Sequence, residues 1–338
     1  MSLQATAKAL VEPGKGILAA DESHPTMEKR LARVGLASTE RVRRDYREVL
    51  MTAPGLSDHI SGVILFDETI RQSRSSGTPF AQGLLRAGII PGIKVDAGTT
   101  PLPRFPTEVV TQGLDGLVAR LTEYAALGAR FAKWRAVIRI ADGRPSAGCV
   151  EANAHALARY AAAAQECSLV PIVEPEVLMD GGHSLERCSV VTSAVLHAVH
   201  DHLVRQRVDL TGMLIKPSMV VPGSESGQHV GDDEIAAATI RVLRDTVPAS
   251  VPGLVFLSGG QTPVEATARL DALNRTGPQP WELSFSFGRA LQAPVLDAWA
   301  AHPDDRQPAQ AALMHRARMN GLARRGRWSR SMEPATAG

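Results

Sequence analysis

Short apolar runs and amphipathic segments alternate along this chain at a steady rhythm. The runs are GILAAD (16–21), HISGVILF (59–66), GIKVD (92–96), ARFAKW (129–134), LVPIVEPEV (169–177), TGMLIKP (211–217), GLVFLSGG (253–260) and ELSFSFG (282–288). Each has the length of a buried strand, and Gly or Pro bounds several of them. Between most of them lie Ala-, Leu- and Arg-rich segments with apolar residues three and four apart, as over 151–167, 185–206, 232–245 and 262–275. That spacing predicts helices with one face on a core. Eight strands, each followed by a helix, predict an α/β fold of one kind, a single (β/α)8 TIM barrel. A doubly wound open sheet is the competing arrangement. It wants a glycine-rich turn after its first strand, and ILAADESHP offers none. No Ser/Gly/Pro-rich linker breaks the rhythm. The expectation is one domain over 1–338, with an N-terminal helix at 1–13 and a C-terminal tail at 321–338 lying on the barrel.

In a barrel the C-terminal ends of the strands point to one common mouth. The polar residues predicted there are Asp21, then Lys94 with Asp96, then Lys133 with Arg135. Glu174 and Glu176 follow, then Lys216, then Ser258 with Gly259 and Gly260, and finally Ser286 and Arg289.

Composition changes the weight of this pattern. Of 37 basic residues only six are lysine: Lys8, Lys15, Lys29, Lys94, Lys133 and Lys216. Three of the six fall at the predicted mouth. Genome-level base composition explains the scarcity of lysine but not where the survivors stand. Arginine stays charged, whereas a lysine amine can lose its proton and attack a carbonyl. Lys216 is the sharpest case, because it ends an apolar run and is followed by Pro217. An ammonium there is costly unless it is paired or neutral.

The remaining composition mostly excludes. The formal charge of +2 gives no general case for nucleic acid, and the Arg-rich stretch MHRARMNGLARRGRWSR reads as a solvated helix and its fray. No apolar run reaches the ~20 residues of a membrane span, and no signal-peptide layout opens the chain. Three scattered cysteines, Cys149, Cys167 and Cys188, argue for a reducing, cytoplasmic setting and against a thiolate zinc site. The histidines of HAVHDH (197–202) diverge around a helix, so no metal and no other cofactor is expected.

A neutral lysine facing a carbonyl compound forms a Schiff base, which withdraws electrons from the neighbouring carbon. Forming it needs proton transfers, for which a carboxylate pair is suited. Glu174 and Glu176 alternate along one strand and so share a side. The plainer reading of the pair is an ionic match to Lys133 or Arg135. FLSGGQT places a Ser-Gly-Gly turn before a helix, which suits a phosphate, with Arg289 after the next strand.

Taken together, the stretches GKGILAADES, GVILFDET, GARFAKWR, VPIVEPEVL, LIKPSM, FLSGGQ and SFSFGRALQ resemble the class I, Schiff-base-forming, metal-independent fructose-1,6-bisphosphate aldolases. They run in the family's order from about residue 14 to about residue 320. The resemblance implies that Lys216 is the Schiff-base lysine and Glu174 the acid/base of carbinolamine dehydration, with Glu176 beside it. It implies that Asp21 holds the C4 hydroxyl, while Lys133 sits between Asp21, Glu174 and Lys216. Lys94 and Arg135 would contact substrate. Ser258, Gly259, Gly260, Ser286 and Arg289 would take the 1-phosphate, and Lys29, Arg30 and Thr26 resemble the 6-phosphate side. The implied partner is a phosphorylated sugar, and the implied assembly is a homotetramer, with neither nucleic acid nor membrane.

Two departures stand out. Ser218 replaces an Asn of animal members, and the chain ends GRWSRSMEPATAG without the tyrosine that closes over the animal site. With the Arg-rich composition, that points to a bacterial member. Cleavage of fructose 1,6-bisphosphate is the expected reaction. Fructose 1-phosphate and sedoheptulose 1,7-bisphosphate stay open as alternative substrates of a related lyase. A silent protein-binding scaffold is disfavoured, because Asp21, Lys133, Glu174 and Lys216 are all present.

Overall fold

The computed structural model describes residues 1–334; the last four positions of the expected C-terminal tail lie outside the described residues. Ten strands follow in chain order: β1 Gly16–Ala20, β2 Ile60–Leu65, β3 Ile90–Lys94, β4 Thr99–Pro101, β5 Val109–Thr111, β6 Phe131–Ile138, β7 Val170–Val177, β8 Leu214–Ile215, β9 Gly253–Phe256 and β10 Glu282–Phe287. Eight of them close a parallel barrel in the order β1-β10-β9-β8-β7-β6-β3-β2. Helices pack around it, as expected of a (β/α)8 fold. β4 and β5 form a separate antiparallel hairpin, Thr99 opposite Thr111.

The period of two along each strand sorts the barrel interior into layers. Ile17, Ala19, Ile64, Phe131, Val170, Ile172, Leu214 and Val255 form a dry inner core. The helix Leu3–Leu10 plugs its lower end with Ala7 and Leu10, followed by Val11. Ser61 secures the plug by donating to the carbonyl of Leu10 at 2.6 Å. Phe131 needs room beneath the mouth. A Cβ at Gly62 would lie 2.7 Å from Leu10 Cδ2 and 3.2 Å from the Phe131 ring, so only glycine fits there. Two residues further up the same strands the inward positions become charged: Phe131 gives way to Lys133, and Ile172 to Glu174. The sequence thus places ionisable groups on an apolar floor.

Several expected boundaries shift. The run 211–217 contributes only Leu214–Ile215 as strand, because Asp209 caps a short 3-10 turn at Leu210–Gly212. Pro217 follows with no N–H to give. Lys216 still donates its backbone N–H to Val173 at 2.8 Å, which fixes its direction. The expected strand 92–96 lies at Ile90–Lys94, and 129–134 at Phe131–Ile138, because Gly128 at φ +109 turns the chain first. The N-terminal helix spans Leu3–Leu10 rather than 1–13, and the helix Gln307–Ala323 runs into the expected tail. Among the described residues, no helix is long and apolar enough to cross a membrane.

Candidate active site

The strand ends surround a cavity of about 750 Å³. Its centre is a chain of alternating charges. Lys133 Nζ lies 2.8 Å from Asp21 Oδ2 and 3.2 Å from Glu174 Oε2. Lys216 Nζ lies 3.1 Å from the other oxygen of Glu174. Lys133, Glu174 and Lys216 are each 3–4% exposed. One carboxylate therefore bridges two ammonium groups away from bulk water. Burial works against the charge of Asp21, but Lys133 and then Lys216 outweigh it and hold the carboxyl well below its ordinary range. Burial likewise opposes the charge of Lys133. Asp21 and Glu174 overcome it and keep Lys133 protonated far above its ordinary value. Lys133 is thus a fixed cation between two carboxylates, whereas Lys216 has one ion-pair partner among the described residues, Glu174.

Glu176 faces the same cavity but pairs with Arg135. Both carboxylates thus have the ionic match of the plainer reading, Glu176 with Arg135 and Glu174 with Lys133, but Glu174 also reaches Lys216. Lys94 Nζ is tied to Asp96, 2.5 Å from its carboxylate and 2.8 Å from its carbonyl oxygen. At the β9 and β10 ends, Gly259 adopts φ +49, and Arg289 donates to its carbonyl at 2.5 Å. Ser258 lines the wall with them. Ser286 Oγ is buried with no hydrogen-bond partner among the described residues, which leaves it free for a bound oxygen. On the opposite wall Thr26 reaches Ser23 at 3.2 Å, and Arg30 lies 2.5 Å from Glu22.

Fourteen of the sixteen sequence-identified positions line this one cavity. The structure does not bring Lys29 and Gly260 to it. Lys29 is exposed on the helix His24–Arg33, and Gly260 borders a small neighbouring cleft with Met179 and Ser218. A Cβ at Gly260 would lie 2.6 Å from Met179 Sδ, so a side chain there would have to displace that methionine. Other lining residues escaped the sequence reading, notably Glu22, Arg120 and Tyr124. Glu22 had a signal, since it directly follows Asp21. Arg120 and Tyr124 had none, because they come from the helix Leu117–Ala126 and not from a strand end. The histidines of HAVHDH have local roles: His200 is bonded to the Leu196 carbonyl and His202 to Glu151, both at 2.8 Å.

The glycolytic family model described as fructose-bisphosphate aldolase class-I matches residues 2–338. A probable fructose-bisphosphate aldolase class 1 from Xanthomonas axonopodis pv. citri is 54% identical over 327 residues, covering 96% of this chain and 98% of that protein. A cytoplasmic isozyme of fructose-bisphosphate aldolase from Cicer arietinum is 50% identical over 326 residues, covering 96% and 90%. Among solved structures, fructose-bisphosphate aldolase from Plasmodium falciparum, in a complex with TRAP and a small-molecule inhibitor, superimposes with a TM-score of 0.95. It is 46% identical, with 97% of this chain and 95% of that one covered.

Proposed function

The chain belongs to the class-I fructose-bisphosphate aldolase family, and we propose that it cleaves fructose 1,6-bisphosphate reversibly through a Schiff base on Lys216. The observation that carries this reading is Lys216, buried at the end of an apolar strand, 3.1 Å from a carboxylate whose other oxygen faces Lys133. Neutral Lys216 Nζ adds to the C2 carbonyl of the ketose. Glu174 delivers the proton with which the carbinolamine oxygen leaves as water, and an iminium remains. Asp21, kept ionised by Lys133, takes the proton of the C4 hydroxyl. The C3–C4 bond then breaks, and its electrons flow into the iminium to give an enamine. Glyceraldehyde 3-phosphate departs. Protonation at C3 and addition of water release dihydroxyacetone phosphate and restore the lysine. The iminium is the electron sink, so the scheme has no step that calls for a metal.

Arg135 and Lys94 border the sugar, Ser258, Gly259, Ser286 and Arg289 suit its 1-phosphate, and Arg30 with Thr26 suits the other end. The resemblance to cytosolic relatives supports a cytoplasmic place in glycolysis, and the family's usual homotetramer is the expected assembly. Borohydride added with substrate should trap one covalent adduct at Lys216, found by peptide mass. The specificity constant should be highest for fructose 1,6-bisphosphate among it, fructose 1-phosphate and sedoheptulose 1,7-bisphosphate. Full activity in Lys216→Ala, or loss of activity on EDTA treatment, would sink the proposal.

A further inference from the structure

One carboxylate on the cavity wall has two guanidinium partners. Glu22 follows Asp21 at the end of β1, and its side chain is 6% exposed. Arg30 Nη1 lies 2.5 Å from Oε1, and Gln292 donates to the same oxygen at 2.6 Å. Arg47 Nη1 lies 2.5 Å from Oε2. Among the described residues neither arginine has another carboxylate partner. The cluster therefore sets two cations against one anion.

The two arginines differ in freedom. Arg47, on the helix Glu40–Met51, is 2% exposed and does not border the cavity. Arg30 is 26% exposed and does. Gln292 is held by a second bond to the carbonyl of Ala19 at 2.7 Å. Glu22 can therefore lose Arg30 and still keep a buried cation and an amide donor. Charge neutrality does not explain Arg47, because Arg30 already neutralises Glu22. Stability explains it poorly: burying a guanidinium is expensive, and among the described residues Arg47 Nε and Nη1 and Glu22 Oε2 form no hydrogen bond, so the pair is held by charge alone. Burial opposes the charge of Glu22, and Arg47 followed by Arg30 holds its carboxyl below the ordinary value.

We propose that Arg47 is a positioning residue that makes Arg30 releasable: as the permanent counter-ion of Glu22, it lets Arg30 leave that carboxylate for the 6-phosphate of the sugar. The proposal rests on the aldolase reading above. Before substrate binds, Glu22 holds Arg30 at the cavity wall. A phosphate then competes with a carboxylate that keeps the Arg47 charge behind it. Without Arg47 the same exchange would strand a bare buried carboxylate, so Arg30 would stay where it is.

The test compares Arg47→Met, Arg47→Lys and the double variant E22Q/R47M by steady-state kinetics. The substrates are fructose 1,6-bisphosphate and fructose 1-phosphate, which lacks the 6-phosphate. Arg47→Met should raise KM for the bisphosphate about tenfold, the worth of one charge-assisted hydrogen bond. It should leave KM for the monophosphate unchanged. Arg47→Lys keeps the charge and should stay near the parent. The double variant, with no carboxylate to capture Arg30, should return KM for the bisphosphate to the parent value. Equal losses on both sugars, or a double variant as impaired as Arg47→Met, would overturn the proposal. If Arg47→Met does not fold, the double variant decides alone, because it holds no unpaired buried charge: a tenfold rise in its KM for the bisphosphate refutes the idea. Failure of the parent enzyme to form the borohydride adduct would instead strike the aldolase reading.

Discussion

Lys216 shows how one residue turns an energetic cost into a function. Its backbone N–H is bonded to Val173, its side chain reaches Glu174 at 3.1 Å, and Pro217 follows it. An arginine there would keep the charge but has no lone pair to offer a carbonyl. Lys216→Arg should therefore lower kcat by at least ~10³-fold and abolish the borohydride adduct, with circular dichroism unchanged. Lys133 acts differently, because its two carboxylate neighbours depend on it. Removing it takes from Asp21 the cation that does most to keep it ionised, which favours the protonated form of that carboxyl. In Lys133→Met the acid limb of the kcat/KM profile should move to higher pH, and kcat/KM at neutrality should fall by ~10²–10⁴-fold. An acid limb that stays in place would mean that Lys133 does not hold Asp21 ionised.

At the scale of elements, legibility followed burial. Barrel strands are enclosed on both sides, so their apolar runs stood out; β4 and β5, three residues each and partly exposed, did not. β6 was read as ending at Trp134, because beyond it Arg135 breaks the apolar run. That arginine is an inward residue paired with Glu176 across the β6–β7 ladder. The chemistry at the strand ends was legible because period two fixes which residues face inward. Arg47 was not. In ERVRRDYREVLM it looks like one more cation on a basic helix face, and its burial is decided by Glu22 on another element. The same layering makes a prediction for the floor of the site. Phe131→Ala opens a void over Gly62 and Leu10, and the rigid closed barrel can collapse little to fill it. It should cost ~3–5 kcal/mol of unfolding free energy by urea titration, with KM for the bisphosphate nearly unchanged. A large rise in KM with little loss of stability would show that the floor shapes the site rather than supporting it.

For the whole molecule, the shifted groups set a pH window with two distinct acid stages. Burial lowers the folded-state pKa of His59, His183 and His200 below the ordinary 6.5. The unfolded chain then binds protons there more readily, so stability falls as pH drops through 6.5. Asp21 and Glu22 are held below their ordinary 3.8 and 4.5 by basic neighbours. Their contribution is complete above those values and is lost only as pH falls further, toward the folded pKa. Lys133 is raised above 10.5, so its contribution is full below that value and is lost at higher pH. Urea midpoints should therefore decline gently from pH 6.5 to 4.5 and steeply below 4.5. His200 is the most enclosed of the three histidines, with Nδ1 on the Leu196 carbonyl and no hydrogen-bond partner for Nε2 among the described residues. His200→Gln should flatten the first stage and leave the second. Asp21→Asn removes one of these carboxylates, and Lys133 keeps Glu174 as its counter-ion, so it should make the second stage shallower and leave the first. A midpoint that stays level down to pH 4.5 in the parent protein would contradict the histidine assignment, and an Asp21→Asn variant with an undiminished steep arm would place the acid sensitivity outside the catalytic mouth.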